Sequence, residues 1–324
     1  GPGLAGVLTV PQQLNLDVTT ISQTDVSDAG SELKSSGDIS RGAVAVSASA
    51  LQRNTFDLTA SAGQVSTGHL TVGTGAYRST VVALLNAGGA TSNVTVGGNL
   101  QVAASGVGSV AEASLTPGGA AVVTGDFTAT ASGAQSVANV VLFNAGTRFE
   151  VGGTVSLESA GAYSRVMVLY VSPVVPDGGT EVDFQSAVSL KSTGLGSSVQ
   201  MDLGHSGDVG QTTTGQVRVE AAGDESESKL INRLQTGDVV FGADLIVHAT
   251  GAGAAASVET VLAPSSSETR VGKISTADQL EVHASGARSS ASTLLSSSSG
   301  KADLTMGGMA SAFASGYLSS ASVD

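Results

Sequence analysis

One alternating motif returns at a spacing of roughly 29 residues, inside the window that marks solenoids and repeat arrays, and it constrains this chain more than anything else in it. Its cleanest copy runs from Asn99 to Gly125. Each copy can be anchored on its first large apolar residue: Val44, Leu70, Leu100, Phe127, Val155, Val188, Val217, Leu245, Leu280 and Leu304. Two positions on stand Val46, Val72, Val102, Ala129, Leu157, Leu190, Val219, Val247, Val282 and Met306. Two further on the residues are small: Ala48, Thr74, Ala104, Ala131, Ser159, Ser192, Ala221, Ala249, Ala284 and Gly308. Side chains alternate along a strand, so these three positions share a face and predict an inward wall that narrows into a corner. Six residues after the anchor comes Gly106, Gly133, Gly161, Gly194, Gly223, Gly251 or Gly286, where a corner calls for positive φ or for close approach of stacked backbones.

A second apolar run follows, as at Val110 to Leu115 and Val137 to Leu142, then a second glycine corner at Gly88-Gly89, Gly118-Gly119 or Gly178-Gly179. A third run, Val94 to Val96 or Val122 to Thr124, leads to a glycine two residues before the next anchor, as at Gly68, Gly98 and Gly125. Three strands and three corners make one coil of a parallel β-solenoid. An antiparallel hairpin array is the competing arrangement. The outward position three after the anchor discriminates, because it reads Glu158, Lys191, Glu220, His248, His283. Alternating charge there is favourable only between strands one rung of about 4.8 Å apart. The expectation is an all-β, right-handed parallel β-solenoid of about ten three-strand coils, a rod on the order of 50 Å long.

Residues 1–41 are less regular and predict a degenerate first coil or an N-terminal cap, with the repeat array over 42–324. Two units are lengthened, one between Tyr170 and Val188 through Pro173 and Pro176, the other between Leu245 and Leu280, and such insertions become side loops on a solenoid. Counted from Leu304, the last coil completes two runs before Asp324, so its uncapped edge invites pairing with another chain. The opening Gly1-Pro2 matches the scar of a tag-removing protease and equally a native mature N-terminus.

Aromatic residues are 3% of the chain with no Trp, so the core is built in thin layers from Ala, Val and Leu. A net charge of −13 repels a phosphate backbone, which argues against nucleic acid as a partner. There is no run of about 18 apolar residues for a transmembrane helix, and 7 Phe with 4 Tyr are too few for the two aromatic girdles of a membrane barrel. The absence of cysteine points mildly to an extracellular or cell-surface setting.

No nucleophile elbow, phosphate loop, dinucleotide fingerprint, zinc motif or EF-hand loop occurs, and the chain reads as a non-enzyme without a cofactor. Glu220, Asp224, Glu225 and Glu227 surround one corner and are calcium candidates, since hard cations take clustered oxygen ligands, although the ligand spacing of calcium loops is missing. His248 and His283 share a repeat position in V-H-A-T-G and V-H-A-S-G; a surface ladder is the plainer reading, a two-ligand metal site or pH-sensitive pair the sharper one. His69 and His205 carry no argument. The alternative function is a β-helical polysaccharide lyase or hydrolase using Glu158, Lys191, Arg218 and Glu220 on an exposed face. Thr128 and Thr130 do not recur from coil to coil as ice-binding ranks would.

The G-x-L-x-V-x-A-S-G unit, from Gly42 to the C-terminus, resembles repeat regions of large bacterial surface adhesins and of secreted filamentous-haemagglutinin-like or autotransporter passengers. That resemblance implies export, a rod-like fold and a role in attachment or biofilm. The partners expected are a host or cell-surface glycan or protein, and further copies of the chain joined end to end as an oligomer or fibre.

Overall fold

The computed structural model describes residues 6–10, 14–16, 21–22, 28–143, 148–172, 180–205, 209–234, 237–262, 272–297 and 302–324. Short apolar-polar alternation broken by glycine leaves strands as the regular element, and no helix occurs among the described residues. The strands form three sheets of 12, 11 and 11 members, and within each sheet every neighbour is the third strand along the chain. In the clearest copy, Leu100–Ala104 belongs to what we call the anchor sheet, Val110–Pro117 to the long sheet and Ala120–Val123 to the short sheet. Leu100 pairs in parallel with Leu70 on one side and Phe127 on the other, and Ala111 with Val81 and Ala138. The fold is a parallel β-solenoid of about ten coils, and the antiparallel array is ruled out by the direction of every ladder.

The register puts the repeat's apolar rows inside. Anchors from Val44 to Leu280, and the residues two positions on from Val46 to Val282, are buried at 3% exposure or less. The small third row, Ala104, Ala131, Ser159, Ser192, Ala221, Ala249 and Ala284, is buried as well, closing the wall where it meets the corner. One continuous apolar cluster runs from Leu33 to Leu295. About half of the scarce aromatics lie within it: Phe56, Phe127, Phe149, Phe184, Phe241 and Tyr170 are fully buried. Phe149 stacks on Tyr170 at 5.4 Å and meets Phe184 edge-on at 5.8 Å. Arg41 is an inward exception on strand Ile39–Arg41; it lies 6.0 Å over the Phe56 ring, and burial pushes its pKa below the usual guanidinium range.

The last unit corrects the sequence reading. Leu304 and Met306 lie in the short sheet, paired with Ile274 and Thr276, while Leu280, Val282 and Ala284 stack on Ala310, Ala312 and Ala314. The final anchor row is therefore alanine, and Leu304 mimicked an anchor only because it is the next large apolar residue. Residues before Val44 also join the solenoid: Gly6–Val10, Leu14–Leu16 and Ile21–Ser22 each pair with the equivalent strand of the next coil. The expected side loops, and the Gly178-Gly179 corner, fall on 173–179 and 263–271, outside the described residues. No helix in the described residues is long and apolar enough to cross a membrane.

Candidate functional site

Two outward surfaces collect the chemistry that the core leaves over: the corner between anchor and long sheets, and the outward face of the anchor sheet. At the corner, each glycine six after the anchor is demanded by close approach. A Cβ on Gly133 would stand 2.3 Å from the Gly106 carbonyl oxygen, and one on Gly161 2.1 Å from that of Gly133. Positive φ falls two residues later, at Arg78, Gly108, Gln135, Tyr163, Gly196, Glu225, Gly253, Arg288 and Leu318. The N–H of this left-handed residue donates to the corner carbonyl of the following coil, as Gln135 does to Ala162 and Glu225 to Ala252. The ladder thus continues around the bend. A serine one residue further closes the turn from inside, its hydroxyl donating to the glycine carbonyl at 2.7 Å in Ser109, Ser136, Ser164, Ser226 and Ser289. This G-x-x-S signature is written in G-A-Q-S, G-A-Y-S and G-D-E-S, a spacing readable from sequence whose meaning appears only once the serine is seen closing the turn.

The two central residues of each corner face solvent, and several are apolar. Leu51, Tyr77, Val107, Tyr163, Leu195 and Tyr317 are exposed between 46% and 74%. The Arg78 guanidinium lies 5.1 Å over the Tyr77 ring. Residues of the same corner rung in successive coils are stacked one strand spacing, about 4.8 Å, apart. Tyr77 is the seventh residue after its anchor and Tyr163 the eighth after its own, three coils along, so the two stand on the same corner ridge in neighbouring rungs.

On the anchor sheet the register places Glu158, Lys191, Glu220, His248 and His283 in one unbroken row, continued by Phe313. Arg218 sits beside the row and pairs with Glu220 at 3.0 Å. All four residues of the enzyme alternative, Glu158, Lys191, Arg218 and Glu220, are brought together on this face.

The calcium candidates are dispersed. Glu220 is held by Arg218 on the anchor sheet, Asp224 accepts the Ala252 N–H through Oδ1 at 3.0 Å, Glu225 is the left-handed corner residue, and Glu227 opens the long-sheet strand Glu227–Leu234. Their repeat positions divide them among the anchor sheet, the corner and the long sheet. The His/Asp/Glu group that does converge among the described residues is His248, Glu281 and His283, whose ligand atoms all lie within 4.8 Å of one another. Glu281 was missing from the sequence reading because it contacts His248 on the diagonal, two positions back along the neighbouring strand. His69 has a structural role, its Nδ1 accepting the Asn99 N–H at 2.9 Å. On the short sheet, a shallow depression of about 280 Å³ is lined by Glu181, Asp183, Gly210, Thr212 and Thr214. Arg148 is 3.7 Å from Asp183 and 3.8 Å from Glu181 there.

Comparisons with protein-family models, with curated proteins and with solved structures return no match.

Proposed function

We propose that this chain is the rod of an extracellular bacterial structure, a surface adhesin or a component of the biofilm matrix, that sets a distance and binds glycan through its exposed corner ridge. The observation that carries this reading is the unbroken core with its three continuous ladders, in which each described coil leans only on its neighbours. Such a stack lengthens without redesign, which is what a spacer requires. The exposed Tyr77, Tyr163 and Tyr317 add the recognition surface: a tyrosine ring presents a flat apolar face and a hydroxyl to a sugar. End-to-end assembly belongs to the same reading. The last coil exposes Leu304, Met309, Phe313 and Leu318 at 54% to 69%, beside strand edges that accept a further coil from the same polypeptide or from a second copy.

The test combines shape with binding. Small-angle scattering of the chain gives a rod on the order of 50 Å per copy, and a glycan array gives retention that falls at least tenfold in Tyr77→Ala/Tyr163→Ala while the melting temperature stays within a degree or two. Retention unchanged in that variant overturns the ridge as the binding surface. A globular scattering profile overturns the rod.

A polysaccharide-active enzyme is the second reading, favoured by the row Glu158, Lys191, Glu220 with Arg218 beside it. Release of oligosaccharides from acidic polysaccharides, abolished by Glu220→Gln, would establish it in place of the adhesin.

A further inference from the structure

His248 lies on strand Leu245–Ala249, and Glu281 and His283 lie on Leu280–Ala284, directly beside it in the anchor sheet. The shared register brings the two imidazoles to 5.5 Å between centroids, edge to face at 88°. Glu281 is two residues before His283, so it points to the same outward face, and its Oε1 reaches His248 Nε2 at 2.9 Å. The row is closed on both sides. Glu220, stacked beneath His248, is held by Arg218, and Phe313 covers His283 with ring centroids 5.2 Å apart. Within this enclosure His283 Nε2 is buried and has no hydrogen-bond partner. A sheltered ring nitrogen without a partner is costly in a native structure and points to a water or an ion bound there.

We propose that His248, His283 and Glu281 form a three-ligand site for a divalent transition metal, zinc above all, that clamps two successive coils of the solenoid. Two imidazoles and one carboxylate are borderline donors, suited to zinc and its neighbours, whereas calcium and magnesium take oxygen sets. Tetrahedral zinc with ligands at about 2.0–2.1 Å holds its donors about 3.3 Å apart. The present donors lie within 4.8 Å of one another, so closing on an ion asks for an approach on the order of 1 Å from rotatable side chains. The Glu281 side chain is 44% exposed, which leaves the fourth position open to water. The ion joins strands whose equivalent residues are far apart in sequence, Asp244 and Gln279 being 35 residues apart. It therefore acts as a cross-link between coils rather than within one.

The test uses the full chain without an affinity tag, stripped of metal by chelator. Zinc chloride followed by calorimetry is expected to bind with one ion per chain and to raise the melting temperature. Cobalt chloride is expected to give the visible absorption of a four-coordinate ion. His283→Ala and His248→Ala lose at least tenfold in affinity and Glu281→Gln loses less, while Glu220→Gln binds as the parent does. Calcium chloride produces no shift. A second measurement needs no variant: zinc protects His248 of the parent chain from carbethoxylation by diethyl pyrocarbonate, while His69 stays as reactive as without metal. No saturable zinc binding, or binding and protection that persist in the histidine variants, overturns the site and leaves a His248–Glu281 hydrogen bond beside an orphaned ring nitrogen.

Discussion

The inside and the outside of one corner follow opposite rules. From Gly106 to Gly316 the sixth position after each anchor is glycine in every copy, although none of these residues has positive φ. Two residues on, φ is positive in every copy, and yet Gln135, Tyr163, Glu225, Arg288 and Leu318 stand there beside Gly108, Gly196 and Gly253, as Arg78 does two residues after Ala76. A left-handed non-glycine residue costs about 1–3 kcal/mol, so conformation alone would reserve the eighth position for glycine and free the sixth. The reverse is found because the corners stack. The sixth residue's Cβ would be driven into the carbonyl of the coil beneath, whereas the eighth residue's side chain enters solvent and its N–H gains a bond to the next coil. Ala76 is the exception to the glycine row: the coil before it reaches its left-handed residue, Leu51, seven rather than eight positions after its anchor, while the Leu51 N–H still donates to the Tyr77 carbonyl at 3.0 Å. In a solenoid, neighbouring coils decide residue identity before dihedral preference does.

The comparison breaks most sharply under a single methyl group. Gly161→Ala places Cβ 2.1 Å from the Gly133 oxygen, a backbone atom that cannot yield without disturbing the bonds it accepts from the Ser136 N–H and hydroxyl. The expected loss is upwards of about 3 kcal/mol, read as a large drop in denaturation midpoint or as insoluble protein. Gly196→Ala is the matched control. Its Cβ meets only the Tyr163 ring, at 2.7 Å, and that exposed ring can swing away, leaving about 1 kcal/mol of left-handed strain. Equal losses in the two variants would sink the steric account. Between these effects lies Ser164→Ala. It removes the hydroxyl donated to Gly161 and leaves Ser159 without its buried partner at 2.6 Å, for an expected cost of about 1–2 kcal/mol by chemical denaturation.

What was legible in the sequence follows from the same physics. Large inward side chains such as Leu100 and Phe127 announce the wall because burial selects size, and the rows they start were read correctly from Val44 to Leu280. Where the last coil fills that row with Ala310, Ala312 and Ala314, size no longer marks the position and Leu304 was mistaken for an anchor. The corner glycines were visible, but their reason was left open between positive φ and close approach, since only the stacked coil supplies the carbonyl that excludes a side chain. The left-handed rung was invisible because its side chain touches no core. The row Glu158 to His283 was readable from spacing alone, its members having one offset from the anchor. Glu281 carries a different offset and enters the cluster only through a diagonal contact that strand register and rotamer create together.

The smallest effect tests the outer half of the comparison. Gln135 holds φ at 56°, and its side chain is exposed. Gln135→Gly removes the left-handed strain and keeps the N–H that donates to Ala162 at 2.9 Å. Against that gain stands the greater backbone freedom of glycine in the unfolded chain, about 0.5–1 kcal/mol. The two terms nearly cancel, so the net expectation is a stabilisation below about 1 kcal/mol. Amide hydrogen exchange at the Gln135 corner is the sensitive readout, because local opening in a repeat array is resolved coil by coil. Slower exchange confined to this corner and its two neighbours supports a strained but tolerated rung. Faster exchange there would mean that the glutamine side chain itself holds the corner, and the eighth position would then be selected as tightly as the sixth.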